Sequence, residues 1–143
     1  MKIGFTGNRK GFTRAQSKTL REVFTSLSAQ KVNEAHHGDC VGSDTDFHFF
    51  VRDNLRNVKI IVHPPLSSAL RSFCPGDKIL EQKEYLVRNK DIVSDTDLLI
   101  ATPAEANEKL RSGTWSIIRV ARKAKKPIVI VFPNGEMKIE RIK

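Results

Sequence analysis

Cysteine is scarce. The chain holds two, Cys40 and Cys74, and their flanks share no pattern. That argues against a disulfide framework and against a paired-cysteine zinc site, and both read as reduced thiols. Aromatic residues make up 7%, with one Trp and one Tyr, so no array of base-stacking platforms is on offer. No apolar run approaches the roughly 20 residues of a membrane span. The start, MKIGFTGNRKG, turns into a glycine loop too early for a secretory h-region. The expectation is a cytoplasmic protein without membrane contact. Acid is also short: 16 Asp and Glu stand against 25 Lys and Arg, a net charge of +9. That excess favours an anionic partner, whether nucleic acid, nucleotide or phosphorylated metabolite. Its local cluster, Arg119, Arg122, Lys123, Lys125 and Lys126, reads first as a solvated helix face.

What is present is regular alternation. The 143 residues suit one domain, 1–143, with no linker or internal repeat. KIGFT (2–6), a stretch near 33–37, VKIIV (58–62), DLLIA (97–101) and PIVIVF (127–132) read as strands, and MKIERI near the end reads as a further short one. Apolar spacings of three and four predict helices over 13–30, from Ser43 or Asp44 to about Asn54, over 79–94, and from RSGTW onward. Thr13 is placed to cap the first. HPPLSSALRSFCPGD (63–77) reads as a long irregular connection. VKIIV and PIVIV are nearly continuous apolar runs, as expected of strands covered on both faces. The class is α/β: a Rossmann-like three-layer sandwich with a mainly parallel sheet.

In such a sheet, ligands bind beyond the carboxyl ends of the strands. The loops due there are TGNRKG, HHGDCVGSD, HPP and ATPAEANEKLRSGTW, and they hold most of the chain's Gly, His and small hydroxyl residues. Gly7 allows close backbone approach, Asn8 offers donors and acceptors, and Arg9 can bind phosphate or carboxylate in bidentate fashion. Gly38 and Gly42 flank a turn. Asp39 can accept from a sugar hydroxyl, and Ser43 or Asp44 can cap a helix instead. His63 and Thr102 close the third and fourth strands. In RSGTW, two readings stand side by side: Ser112 or Thr114 caps a helix, or Gly113 and its neighbours present N–H groups to an anion with Arg111 adding charge. Trp115 is expected to pack beneath this loop. Asp39 and Asp44 are the only carboxylates nominated for acid–base work. No metal is expected, because neighbouring His36 and His37 on a strand point to opposite faces and no HExxH pattern is present. No cofactor is called for.

GFTGNR (4–9), HHGDCVGSDTDFH (36–48), IVHPP (61–65), YLVRNKDIVSDTDLLIATP (85–103) and RSGTWSIIRVARK (111–123), in this order, resemble the SLOG superfamily. That Rossmann-like group includes the Smf/DprA DNA-processing proteins and the LOG phosphoribohydrolases, and the likeness is to small stand-alone bacterial and phage members. The resemblance implies a nucleotide or nucleotide-derived ligand at the carboxyl edge of the sheet, sensed, sequestered or cleaved at its N-glycosidic bond. It implies that Arg88, in the RN of an Smf-like stretch, faces the ligand, and that the chain forms a homo-oligomer. It also leaves DNA binding of the Smf/DprA type as the alternative. Gly113 and Thr114 match the LOG phosphate loop, whereas the glutamate that follows it in LOG enzymes has no counterpart beside Trp115 and Ser116.

Overall fold

The computed structural model describes residues 1–28 and 31–141. The chain runs β1 (Lys2–Gly7), α1 (Arg14–Ser28), β2 (Glu34–His37), α2 (Ser43–Asn54), β3 (Lys59–Val62), a 3-10 turn (Ser68–Leu70), β4 (Lys78–Ile79), α3 (Tyr85–Ser94), β5 (Leu98–Thr102), α4 (Gly113–Lys123), β6 (Ile128–Val131) and β7 (Met137–Glu140). The strands form a sheet of order β4-β3-β2-β1-β5-β6-β7. All neighbours are parallel except β6 and β7, which form a terminal hairpin. Successive strands spread outward from β1 in one direction, then the chain returns to lay β5 on its other side. That reversal opens a crevice at the carboxyl ends of β1 and β5.

Alternation along the strands builds the two apolar layers. Ile100, Val129 and Val131 join Leu20, Phe24, Phe47 and Val51 of α1 and α2 on one face. Leu99, Ala101, Ile128 and Ile130 meet Val93, Trp115, Ile118 and Ala121 of α3 and α4 on the other. Fully buried strands need this two-sided apolar pattern, and the three-layer α/β expectation holds. No helix among the described residues is long and apolar enough to cross a membrane.

Thr13 caps α1 as expected, and does so reciprocally: Gln16 N–H donates to its Oγ1 at 3.0 Å, and its own N–H donates to Gln16 Oε1 at 2.9 Å. Gln16 Nε2 also donates to Pro103 O and Val131 O, tying the helix start to the carboxyl ends of β5 and β6. The helix expected over 79–94 needs correction. It begins only at Tyr85, because Lys78–Ile79 pair with β3 as an edge strand and Leu80 N–H continues that pairing to Val62 O at 2.9 Å. The expected ends of α1 at 29–30 and of the last strand at 142 lie outside the described residues.

Candidate functional site

The loop after β1 is held by Asn8. Its Nδ2 and backbone N–H both donate to Thr102 O, its Oδ1 accepts from Lys10 N–H, and its carbonyl accepts from Ser43 N–H. Asn8 therefore locks together the loops after β1 and β5 and the start of α2, and it also lines the crevice. Gly42, at φ 98°, brings α2 against the Arg9 backbone, where a Cβ would overlap. These contacts leave the Arg9 and Lys10 side chains at the mouth of the crevice, exposed and without an ion pair among the described residues.

The crevice has a volume of about 270 Å³. It is lined by the β1 loop, Gly38, Cys40 and Asp44 from the second loop, Tyr85 and Arg88 of α3, Glu105, and Ser112, Gly113 and Thr114 at the start of α4. Arg88 dominates it. This guanidinium is 3% exposed, donates to Gly38 O at 2.7 Å, and stacks 4.9 Å from the Tyr85 ring centroid. Among the described residues, no carboxylate lies within ion-pair distance of it, and its Nε has no partner. A Cβ on Gly38 would overlap the Arg88 guanidinium, so a larger residue there would displace it.

Asp44 is also buried and accepts from Cys40 N–H at 3.0 Å. Burial pushes its carboxyl up to about 6, against the pull of Arg88. Neither Ser43 nor Asp44, the expected caps, caps α2: Gly42 stands at its N-cap without a side-chain bond. Burial likewise raises the Cys40 thiol. Glu105, in the loop after β5, carries a buried Oε2 with no partner. The sequence reading took Cys40 only as a reduced thiol and did not single out Glu105, Lys10 or Tyr85, all of which line the crevice. Their position just beyond parallel strands, or at the start of the next helix, was the available signal.

At RSGTW, capping is realised: Ser112 Oγ accepts from Trp115 N–H at 3.3 Å. Ser112, Gly113 and Thr114 line the crevice at the head of α4, where first-turn N–H groups have no partner within the helix. The space that a Cβ on Gly113 would need is occupied by the Tyr85 hydroxyl. Trp115 is buried in the apolar layer under α4.

Several nominated residues lie away from the crevice lining. Asp39 does not fit a catalytic role here: it is 0% exposed, ion-paired to Arg71 Nε at 2.8 Å, and accepts from Cys74 N–H at 2.9 Å. Ser43 and Thr102 pack against Gly7, each with a buried hydroxyl lacking a partner. Arg111 is exposed, outside the lining. His63 faces β2 and meets His36, Nε2 to Nδ1, at 2.7 Å. His36 and His37 do point to opposite faces, yet each finds another histidine there, His63 and His48 respectively. The basic cluster on α4 is partly neutralised: Arg119 pairs with Glu108, and Arg122 pairs with Glu108 and Glu140.

No protein-family model matches the sequence, and no curated protein matches it. Among solved structures, the fold is similar to that of the molybdenum cofactor binding protein from the phototrophic bacterium Rippkaea orientalis, with a TM-score of 0.68 and 19% identity over 92% of this chain and 76% of that one. It is also similar to the structural-genomics target TM1055, with a TM-score of 0.59 and 15% identity over 89% of this chain and 71% of that one. At these identities the likeness is one of fold: a Rossmann-like α/β sheet.

Proposed function

We propose that the chain binds a small nucleotide or nucleotide-derived anion, of the kind SLOG proteins take, in the crevice between β1 and β5. The observation that carries this reading is Arg88, a buried cation with no carboxylate in ion-pair contact among the described residues, aimed into a crevice that also receives Arg9 and the head of α4. A buried unpaired charge is costly, and an anionic ligand would supply the missing partner. The Gly113 and Thr114 N–H groups and the helix dipole then hold a phosphate, with Arg9 closing over it. The crevice sits near the lower end of the ligand-site range, which spans about 300–1,000 Å³, and suits a mononucleotide better than a nucleic-acid strand. The neutralised arginines on α4 weigh in the same direction. A fold neighbour that binds a small-molecule cofactor is compatible with this reading.

Cleavage of the ligand is the further step the crevice allows. Asp44, held near 6, and the unpartnered Glu105 are its acid–base groups, while the position following Thr114 lacks the LOG glutamate. Calorimetric titration with nucleoside monophosphates tests the binding reading. Arg88→Met and Arg9→Ala are each expected to weaken binding by tenfold or more, since a charge-assisted hydrogen bond contributes about 1.5–3 kcal/mol. Unchanged affinity in both variants, or no saturable binding to the wild type, overturns it. Binding that weakens steeply with salt and prefers oligonucleotides would instead favour the Smf/DprA alternative.

A further inference from the structure

A second cluster lies on the other side of β2, away from the crevice. On this face α3 packs on β1, and α4 packs on β1, β5 and β6. A groove of about 510 Å³ runs there, with His36 on its floor and Asp95, at the end of α3, on its wall. We propose that His36, His63 and Asp95 form a binding site for a divalent transition metal of the zinc type.

Three observations carry the proposal. The donor atoms of the three residues all lie within 4.8 Å of one another, and His36 Nδ1 stands 2.7 Å from His63 Nε2. His36 Nε2–H donates to Glu34 Oε1 at 2.9 Å. That bond fixes the tautomer, so the lone pair is on Nδ1 and faces His63. A carboxylate behind a histidine, with the free nitrogen turned toward a second donor, is the arrangement that orients metal-ligating imidazoles. Third, Asp95 is exposed and makes no side-chain hydrogen bond or ion pair among the described residues, so its carboxylate is free to ligate.

Without metal, the His36 lone pair accepts the His63 Nε2 proton. Metal binding asks only that this proton pass to His63 Nδ1, leaving two neutral imidazole donors. Tetrahedral ligation at about 2.05 Å sets two nitrogens about 3.3 Å apart, so the rings must part by roughly 0.6 Å. Two histidines and one carboxylate leave a fourth position open toward the groove, as in sites that keep a water or exchangeable ligand.

The other histidine cluster shows what fails this test. His37, His48 and Cys74 also lie close together. Asp39 N–H donates to His37 Nδ1 at 2.9 Å, so His37 Nε2 carries the proton, which it donates to His48 Nδ1 at 3.0 Å. The Asp39 N–H on Nδ1 keeps the His37 proton on Nε2, so His37 cannot make the proton shift open to His63 and turns no lone pair toward a metal.

The test uses the full chain freed of any affinity tag. Zn²⁺ titration by calorimetry is expected to give one site per chain, and Co²⁺ loading to give the visible absorption of tetrahedral cobalt. His63→Gln should lower Zn²⁺ affinity at least a hundredfold, and Glu34→Gln by about 10–100-fold. Asp95→Asn lies on the surface, keeps the fold, and should weaken binding and alter the Co²⁺ spectrum. His48→Gln and Cys74→Ala should bind as the wild type does. The proposal is overturned by absence of saturable one-to-one binding, by an Asp95→Asn variant that binds normally, or by loss of binding in the His48 or Cys74 variant with retention in His63→Gln.

Discussion

Replacing Asp44 by Asn is expected to stabilise the free protein at alkaline pH, and the sign of that effect separates two roles for a buried carboxylate. Burial raises the Asp44 pKa from 3.8 to about 6. The folded state therefore binds more protons than the unfolded chain between pH 3.8 and 6, and stability falls as pH rises through that window. A shift of about 2 pK units corresponds to about 3 kcal/mol, lost in full by pH 8. Asn is nearly isosteric and its Oδ1 can still accept from Cys40 N–H, so the variant escapes the loss without leaving that donor unpaired. Urea denaturation at pH 8 should show Asp44→Asn more stable by about 3 kcal/mol, and the gain should shrink toward zero near pH 4. A carboxylate kept for stability would give the reverse: Asn would destabilise at pH 8 and become neutral in acid. A variant less stable than the wild type at pH 8 refutes the reasoning. The expected outcome marks Asp44 as a group held in the crevice at a cost in stability, which is the pattern of functional sites.

Arg71→Ala should destabilise the fold by about 3–5 kcal/mol in urea, since it strands the fully buried Asp39 without its ion-pair partner; a loss under 1 kcal/mol would show that Asp39 is not held this way. Gly113→Ala should cost only about 1 kcal/mol in a melt, because Tyr85 is 41% exposed and can swing aside. Adding Tyr85→Phe should recover most of that loss, as the nearest remaining atom is then the ring Cζ, 3.1 Å from the new Cβ. Two purely additive effects would show that the Tyr85 hydroxyl is not what constrains Gly113.

The fold was legible because its cues are local. Ile128–Val131 and residues 60–62 of β3 are β-branched and apolar on both faces, as expected of a sheet covered on both sides. Thr13 and Gln16 stand at capping-box spacing, and the box forms. The error over 79–84 has a clear cause. Ile79, Leu80, Leu86 and Val87 mimic one helical face, but pairing of 78–80 with the bare edge of β3 satisfies that strand's backbone groups, a non-local gain that no helical period records.

The site was legible at the level of loops and less so at the level of side chains. Four loops were placed at the carboxyl edge, and the crevice draws its lining from three of them and from α3. Yet the glycines were read as room for a ligand, and at Gly38 and Gly113 the room is taken by the protein itself, by the Arg88 guanidinium and the Tyr85 hydroxyl. A glycine reports only that something comes close. Which atom it is depends on α3, 47 residues beyond Gly38 at Tyr85, whose helical phase turns Arg88 inward and leaves Leu86 and Val87 exposed. The histidines follow the same logic. Adjacency on a strand correctly separates His36 from His37, but strand register supplies each with a new partner, as His36 lies beside Ile61 and so near His63. A pattern confined to neighbours along the chain cannot see the cross-strand pair, although side-chain alternation on two parallel strands in register produces it directly.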